Sequence, residues 1–135
     1  MTPDLIRELQ GCRSAEKGQA LYYRALAAEA ERRGDDALSE RFNELHADEQ
    51  HHVSRLTARL LELGAAPEDL SGLRSVPAAI EGWEEEARSR EAEEVRRYEA
   101  LAARDLDGAT AELVREILET ERHHARELGG KWTPA

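Results

Sequence analysis

Two stretches of sequence decide the fold, Leu45-His46-Ala47-Asp48-Glu49-Gln50-His51-His52 and Ile117-Leu118-Glu119-Thr120-Glu121-Arg122-His123-His124. In each stretch an apolar residue precedes a glutamate by four positions, and a histidine follows that glutamate by three. Residues at these spacings share one face of an α-helix. Each stretch therefore predicts a helix whose apolar face carries a glutamate and a histidine.

Helix-forming residues dominate the rest of the chain, and helix breakers fall in only a few places. The short connections near Gly34 and Gly108 predict antiparallel hairpins, because neighbouring helices joined by few residues fold back on each other. The segment between the hairpins, residues 64–77, spans about 46 Å when extended, which is about the length of one helix and allows a long crossover. The four helices are predicted at roughly 3–33, 36–63, 78–105 and 109–129.

These elements predict an all-α protein with a single domain, residues 1–135, built as a four-helix bundle from two antiparallel hairpins joined by a long crossover. Glycine and aspartate mark the helix ends. We expect Gly34 to end the first helix, Asp35 or Asp36 to cap the second, and Asp107 or Thr110 to cap the fourth.

Carboxylates interrupt the apolar stripe of every predicted helix. A carboxylate in a bundle core costs several kcal/mol unless it is paired, protonated or bound to a metal. The arginines and lysines fall outside the stripes, so a cluster of cations is the simplest way to hold these anions together. The predicted metal ligands are Glu16, Glu49, His52, Glu91, Glu94, Glu121 and His124.

The chain also contains an internal repeat. Glu16 is followed seven positions later by Tyr23, and Glu91 is followed seven positions later by Tyr98. The Glu-x-x-His stretches repeat as well, and in each hairpin the two stripe glutamates lie at similar distances from the turn. Two copies of one hairpin would place a symmetric dinuclear site between them. Tyr23 and Tyr98 are candidates for hydrogen bonding to a ligand, with core packing as the alternative.

Composition limits the classes of partner. The formal net charge of the 135-residue chain is −10, which repels phosphate backbones and anionic lipid, so we expect neither nucleic acid nor membrane as a partner. A single cysteine excludes an internal disulfide and a Cys-x-x-Cys site. We find no membrane span or signal peptide, and we expect a cytoplasmic protein.

One Glu-x-x-His pair is weak evidence in a chain with 29 acidic residues and five histidines. Two such pairs on apolar stripes, each with a stripe glutamate on the partner helix, are stronger evidence. In this pattern the chain resembles the ferritin-like superfamily of di-iron carboxylate proteins, and within it the rubrerythrin-like branch. The resemblance runs from Glu16 to His124, and Glu91-x-x-Glu94 resembles the additional carboxylate of rubrerythrin.

The resemblance implies two iron ions, with manganese or a mixed pair as alternatives. It implies that Glu49 and Glu121 bridge the ions and that Glu94 is a mobile ligand exchanging with His124. The other implied ligands are Glu16 and His52 for one ion, and Glu91 and His124 for the other. The chain lacks a four-cysteine iron site, a fifth helix and any methionine besides Met1, so the resemblance implies an external electron donor and disfavours storage in a large cage.

The leading functional hypothesis is therefore a rubrerythrin-like oxidoreductase that reduces hydrogen peroxide, or O₂, with electrons from another protein. The alternatives are a ferroxidase that handles iron, with a shell made by another protein as one setting, oxygenation of an organic substrate, and a non-enzymatic helical interaction protein. We expect a homodimer, with exchange of hairpins between chains as a further arrangement.

Overall fold

The computed structural model describes residues 3–129, and within this range all regular structure is helical. The four helices are α1 (Pro3–Arg32), α2 (Asp36–Glu62), α3 (Trp83–Ala102) and α4 (Gly108–Gly129). The predicted all-α class is confirmed. The chain forms two compact units, a first unit that ends at Ile80 and a second unit that begins at Glu81.

The first unit is an antiparallel hairpin of α1 and α2. Hydrogen bonds between the helices join Arg13 to Thr57 at 2.6 Å and Arg24 to Asn43 at 3.1 Å. The partner of the later residue on α1 is therefore the earlier residue on α2, so the two helices are antiparallel. Because the helices run in opposite directions from a short turn, their central residues lie level with each other.

The second unit repeats this arrangement with α3 and α4. The Arg88 guanidinium donates to the Leu128 carbonyl oxygen at 3.1 Å, and Arg122 donates to Glu99 at 3.0 Å. Asp107 caps α4, because its carboxylate accepts a hydrogen bond from the backbone N–H of Thr110. Of the two predicted caps, Asp107 is therefore the one used.

The turn of the first unit is built from a glycine and an aspartate. Gly34 has a φ of +74°, and the N–H of Asp35 donates to the Ala30 carbonyl while that of Gly34 donates to Glu31, both at 3.0 Å. This pair of bonds is the Schellman ending of a helix, which favours glycine at the left-handed position. Asp35 then caps α2 by accepting from the Leu38 N–H at 3.1 Å.

The predicted third helix was wrong at both ends. It was predicted at 78–105, but α3 begins at Trp83 and ends at Ala102. Gly82 precedes it with a φ of +76°, a left-handed conformation that a helix interior does not contain. The apolar, helix-forming residues before Gly82 therefore belong to the crossover, which runs from Leu63 to Gly82.

The first part of the crossover is fixed to the helices of its own unit. The Gln10 side chain donates to the Ala66 carbonyl at 2.9 Å and accepts from the Glu68 N–H at 3.0 Å. The Arg13 guanidinium donates to the Glu68 carbonyl at 2.7 Å as well as to Thr57. These bonds bring the chain that leaves α2 back onto α1.

Each unit buries an apolar stripe from both of its helices. The fully buried large apolar side chains are Leu9, Tyr23, Leu26, Phe42, Leu45, Leu56 and Leu60 in the first unit, and Tyr98, Leu101 and Ile117 in the second.

Among residues 3–129, no helix combines the length and apolar character needed to cross a bilayer.

Candidate metal centre

The middle of the first unit contains a buried cluster of two carboxylates and one imidazole. We call Glu16, Glu49 and His52 the first triad. Each offers a ligand atom within 4.8 Å of the others, and none exposes more than 4% of its surface. The Nδ1 atom of His52 lies 2.8 Å from Oε2 of Glu16 and 4.0 Å from Oε1 of Glu49. The first triad thus gathers ligands from α1 and α2 in the hairpin core.

The second unit holds a matching cluster, the second triad of Glu91, Glu121 and His124. Its ligand atoms also lie within 4.8 Å of one another, and its residues expose at most 1% of their surface. The Nδ1 atom of His124 lies 3.3 Å from Oε1 of Glu121 and 3.7 Å from Oε1 of Glu91. In both triads the same imidazole atom therefore faces the carboxylates.

Helix geometry explains why the two triads are alike. Glu and His three positions apart on α2 and on α4 project from one face, and each partner helix supplies a glutamate at the same level. The second-triad glutamates follow their first-triad counterparts by 75 and 72 positions. The repeated sequence thus gives a repeated local structure.

Charge balance makes each triad a fitting site for one divalent cation. Two carboxylates and a protonated imidazole would leave a net charge of −1 in the core. A divalent cation with a neutral imidazole would bring the same group to zero. Since an uncompensated buried charge is strongly destabilising, the cation-bound form is the better balanced one.

The donor set also indicates which metal fits. Carboxylate oxygens with one imidazole nitrogen suit iron and manganese, whereas structural zinc sites favour closed tetrahedra of cysteine and histidine. Cys12, the only cysteine, belongs to neither triad. The residues present therefore fit an iron or manganese ion in each unit.

Glu94 lies near the second triad along α3. Among the described residues, however, its carboxylate does not belong to the cluster of ligand atoms that lie within 4.8 Å of one another. It is only 5% exposed, and its Oε1 atom lies 3.9 Å from Nε of Arg97. The neighbouring Glu93 is exposed, so Glu94 is the inward-facing member of this acidic pair. Arg97 was not among the predicted site residues, although its spacing of three from Glu94 is a helical ion-pair signal.

Tyr23 and Tyr98 are both completely buried, two helical turns beyond Glu16 and Glu91. The Tyr23 ring also contacts Tyr22, with 5.3 Å between the ring centroids. A hydrogen bond from either tyrosine to a triad ligand stays a prediction.

The structure is all-α, and each of its two hairpins buries a triad of two glutamates and one histidine. Comparisons with known proteins identify the family to which such a chain belongs. The family model for the ferritin-like domain matches residues 16–131. The chain therefore belongs to the ferritin-like domain family. The match begins at the first triad glutamate and extends beyond the last triad histidine.

Among solved structures, the chain is similar to Mycobacterium tuberculosis bacterioferritin, BfrA. The TM-score is 0.82 at 21% sequence identity, over 96% of this chain and 84% of that one. At this identity the likeness establishes the ferritin-like four-helix-bundle fold. No curated protein matches the sequence significantly.

Proposed function

We propose that each triad binds one iron ion, that the chain therefore holds two, and that the protein is a ferroxidase. The observation that carries the proposal is the pair of matching buried triads, each with two carboxylates and one imidazole. Membership of the ferritin-like family supports iron as the metal, and the name of the similar bacterioferritin points in the same direction.

The proposed roles follow from the donor atoms. Glu16, Glu49 and His52 would hold one ion, and Glu91, Glu121 and His124 would hold the other. Iron bound there would supply one electron per ion, so two Fe(II) ions would together supply the two electrons that reduce hydrogen peroxide, with two protons, to two waters, or O₂, with two protons, to hydrogen peroxide.

The burial of the triads serves this chemistry. Ligands held in a hairpin core are oriented before the metal arrives, and the low-dielectric surroundings favour a neutral assembly of cation and carboxylates.

Peroxide reduction with an external electron donor is the second candidate function. One specific observation favours it, the buried Glu94 beside the second triad, since an additional carboxylate on this helix resembles rubrerythrin. We place it second because the Glu94 carboxylate is not grouped with the triad's ligand atoms. The homodimer, the cytoplasmic location and an external reductant stay proposals.

Anaerobic Fe(II) loading followed by oxidation tests the proposal. We expect about two irons per chain by elemental analysis, an oxo-bridged near-ultraviolet band after oxidation, and continued turnover when Fe(II) is added in excess. A single stoichiometric oxidation, reversed by a reductant and faster with peroxide than with O₂, would favour the peroxidase. Binding of no stoichiometric metal would refute both and favour the helical interaction protein.

Matched variants make this test specific. Glu49→Gln and Glu121→Gln remove one charge from each triad, and we expect both to lose bound iron. Glu44→Gln and Glu119→Gln change exposed glutamates on the same helices. We expect these controls to keep two irons per chain.

A further inference from the structure

We propose that Arg97 is a positioning residue that holds the Glu94 carboxylate away from the second triad and thereby weakens metal binding there. The inference rests on the proposed function, because it requires that the triads bind metal. Arg97 lies outside both triads, and we expect its replacement by a neutral residue to strengthen cation binding although the substitution introduces no new ligand residue.

Glu94 lies on α3 between a triad glutamate and an arginine. It follows Glu91 by three residues and precedes Arg97 by three, so it neighbours both on the helix surface, while Glu91 and Arg97 point about 120° apart. Its flexible side chain can turn towards either neighbour. In this structure one carboxylate oxygen of Glu94, Oε1, lies 3.9 Å from Nε of Arg97, and the carboxylate does not belong to the second triad's cluster of ligand atoms within 4.8 Å of one another.

The charge of the second triad favours a partner other than the metal for Glu94. The second triad already carries the two carboxylates that neutralise a divalent ion, and a third would leave a net negative charge in the core. Arg97, with 39% of its side chain exposed, keeps its own charge partly hydrated while it compensates Glu94. The ion pair thus offers the buried carboxylate a partner other than the metal.

The internal repeat allows the surroundings of Glu94 to be compared with the corresponding positions of the first unit. The positions in α1 that correspond to Glu94 and Arg97, 75 residues earlier, are Gln19 and Tyr22. Both are buried, at 3% and 7% exposure, and both are neutral. The second unit has the additional carboxylate of Glu94 and an arginine three positions later. The first unit has the amide of Gln19 at the corresponding position and a tyrosine, not an arginine, three positions later. This pairing is expected if the arginine is there to control the carboxylate.

Equilibrium Co(II) titration under anaerobic conditions tests the proposal without relying on activity. We compare the wild type with Arg97→Gln, Glu94→Gln and the double variant, with Arg96→Gln and Glu93→Gln as exposed controls on the same helix. We expect Arg97→Gln to tighten one of the two Co(II) ions about tenfold, within the usual range of coupling between sites. The visible Co(II) absorption should weaken at the same time, because a further ligand raises the coordination number.

The expected tightening depends on Glu94. In the Glu94→Gln background, Arg97→Gln should leave Co(II) affinity unchanged, since no carboxylate remains to be released. Gln19→Glu is an independent test, because it places a carboxylate without an arginine at the corresponding position of the first unit. We expect it to tighten Co(II) binding in the same way.

The outcomes separate this proposal from the proposed function. If the wild type binds two ions and Arg97→Gln does not tighten one, the role of Arg97 is refuted while the metal centre stands. Equal changes from Arg97→Gln with and without Glu94 would show a merely structural role and also refute it. A wild type that binds no Co(II) would refute the metal centre, and this inference with it.

Discussion

His52 on α2 and Glu16 on α1 meet in the core of the first unit, with 2.8 Å between Nδ1 and Oε2. This contact joins two helices through groups that are both metal ligands by chemical type. The contact thus places a histidine–carboxylate pair where apolar side chains would ordinarily pack.

We expect His52→Ala and His124→Ala each to lower the metal content from about two ions per chain to about one. Each variant removes the only imidazole of its triad, and carboxylates alone hold a cation less tightly at such a site. Elemental analysis after metal loading gives the stoichiometry. His51→Asn and His123→Asn change the exposed neighbouring histidines and should retain two ions. Equal losses in these controls would contradict the assignment.

Glu121→Gln should have opposite effects on stability without and with metal. In the metal-free protein, removing a buried charge is expected to stabilise the fold by about 1–2 kcal/mol, because less uncompensated charge remains in the core. With metal at about 100 times its Kd, the wild type gains about 2.7 kcal/mol of unfolding free energy that the variant lacks. Thermal unfolding with and without Fe(II) under anaerobic conditions measures both effects. A variant less stable than wild type in the absence of metal would contradict the expectation that uncompensated charge in the triad destabilises the metal-free fold.

Gly34→Ala should destabilise the first unit by about 1–2 kcal/mol, because the left-handed backbone at this turn is unfavourable for a residue with a Cβ. Gly11→Ala is the matched control. Gly11 lies exposed within α1, and a Cβ there meets no atom within 4 Å. Alanine in this helix interior should stabilise by about 0.5–1 kcal/mol. Chemical denaturation measures both changes, and equal signs would contradict the proposed turn.

Arg13→Met should loosen the first part of the crossover, since it removes the bonds to Thr57 and to the Glu68 carbonyl. The expected result is faster trypsin cleavage after the exposed Arg74, because proteolysis reports local opening. Mass spectrometry of the fragments over time identifies the cleaved bond. Arg7→Met, which removes only an exposed ion pair with Asp4, should cleave at the wild-type rate.

We expect Glu29 to make the stability of the folded protein depend on pH. Hydrogen bonds from Arg32, and then from Arg33, lower the pKa of Glu29 in the folded protein. A carboxylate with a lowered folded pKa stabilises the protein above its unfolded pKa and loses this contribution as the pH falls through the folded value. The difference in unfolding free energy between wild type and Glu29→Gln should therefore be present at neutral pH and vanish in acid. A difference that persists in acid would show that the charge is not its source.

The fold could be predicted from the sequence where local signals agree. Both helices of the first unit have strong apolar periodicity and definite ends, and their observed limits lie within one residue of the predicted ones. The start of α3 could not be predicted this way, because residues 78–81 form helices readily and only the backbone conformation at Gly82 excludes them. Gly82 was the one available signal, and it lay inside the predicted helix.

The candidate site shows a similar limit. Apolar stripes with polar interruptions predicted which carboxylates lie inside, and the structure buries Glu16 and Glu91 completely. Periodicity defines the face of a helix on which a residue lies, but it does not define the direction in which a long side chain turns. The contact of one Glu94 carboxylate oxygen with Arg97 depends on that direction, so it required the structure.

The two hairpins are similar in pattern but not identical in sequence, and this difference affects how the protein can evolve. In a symmetric assembly of identical hairpins, any substitution appears in every copy at once. Here both hairpins lie in one chain, so a mutation at Glu94 leaves Gln19 untouched. One hairpin can thus acquire a new charge while the other keeps its own environment, and selection can adjust the two independently.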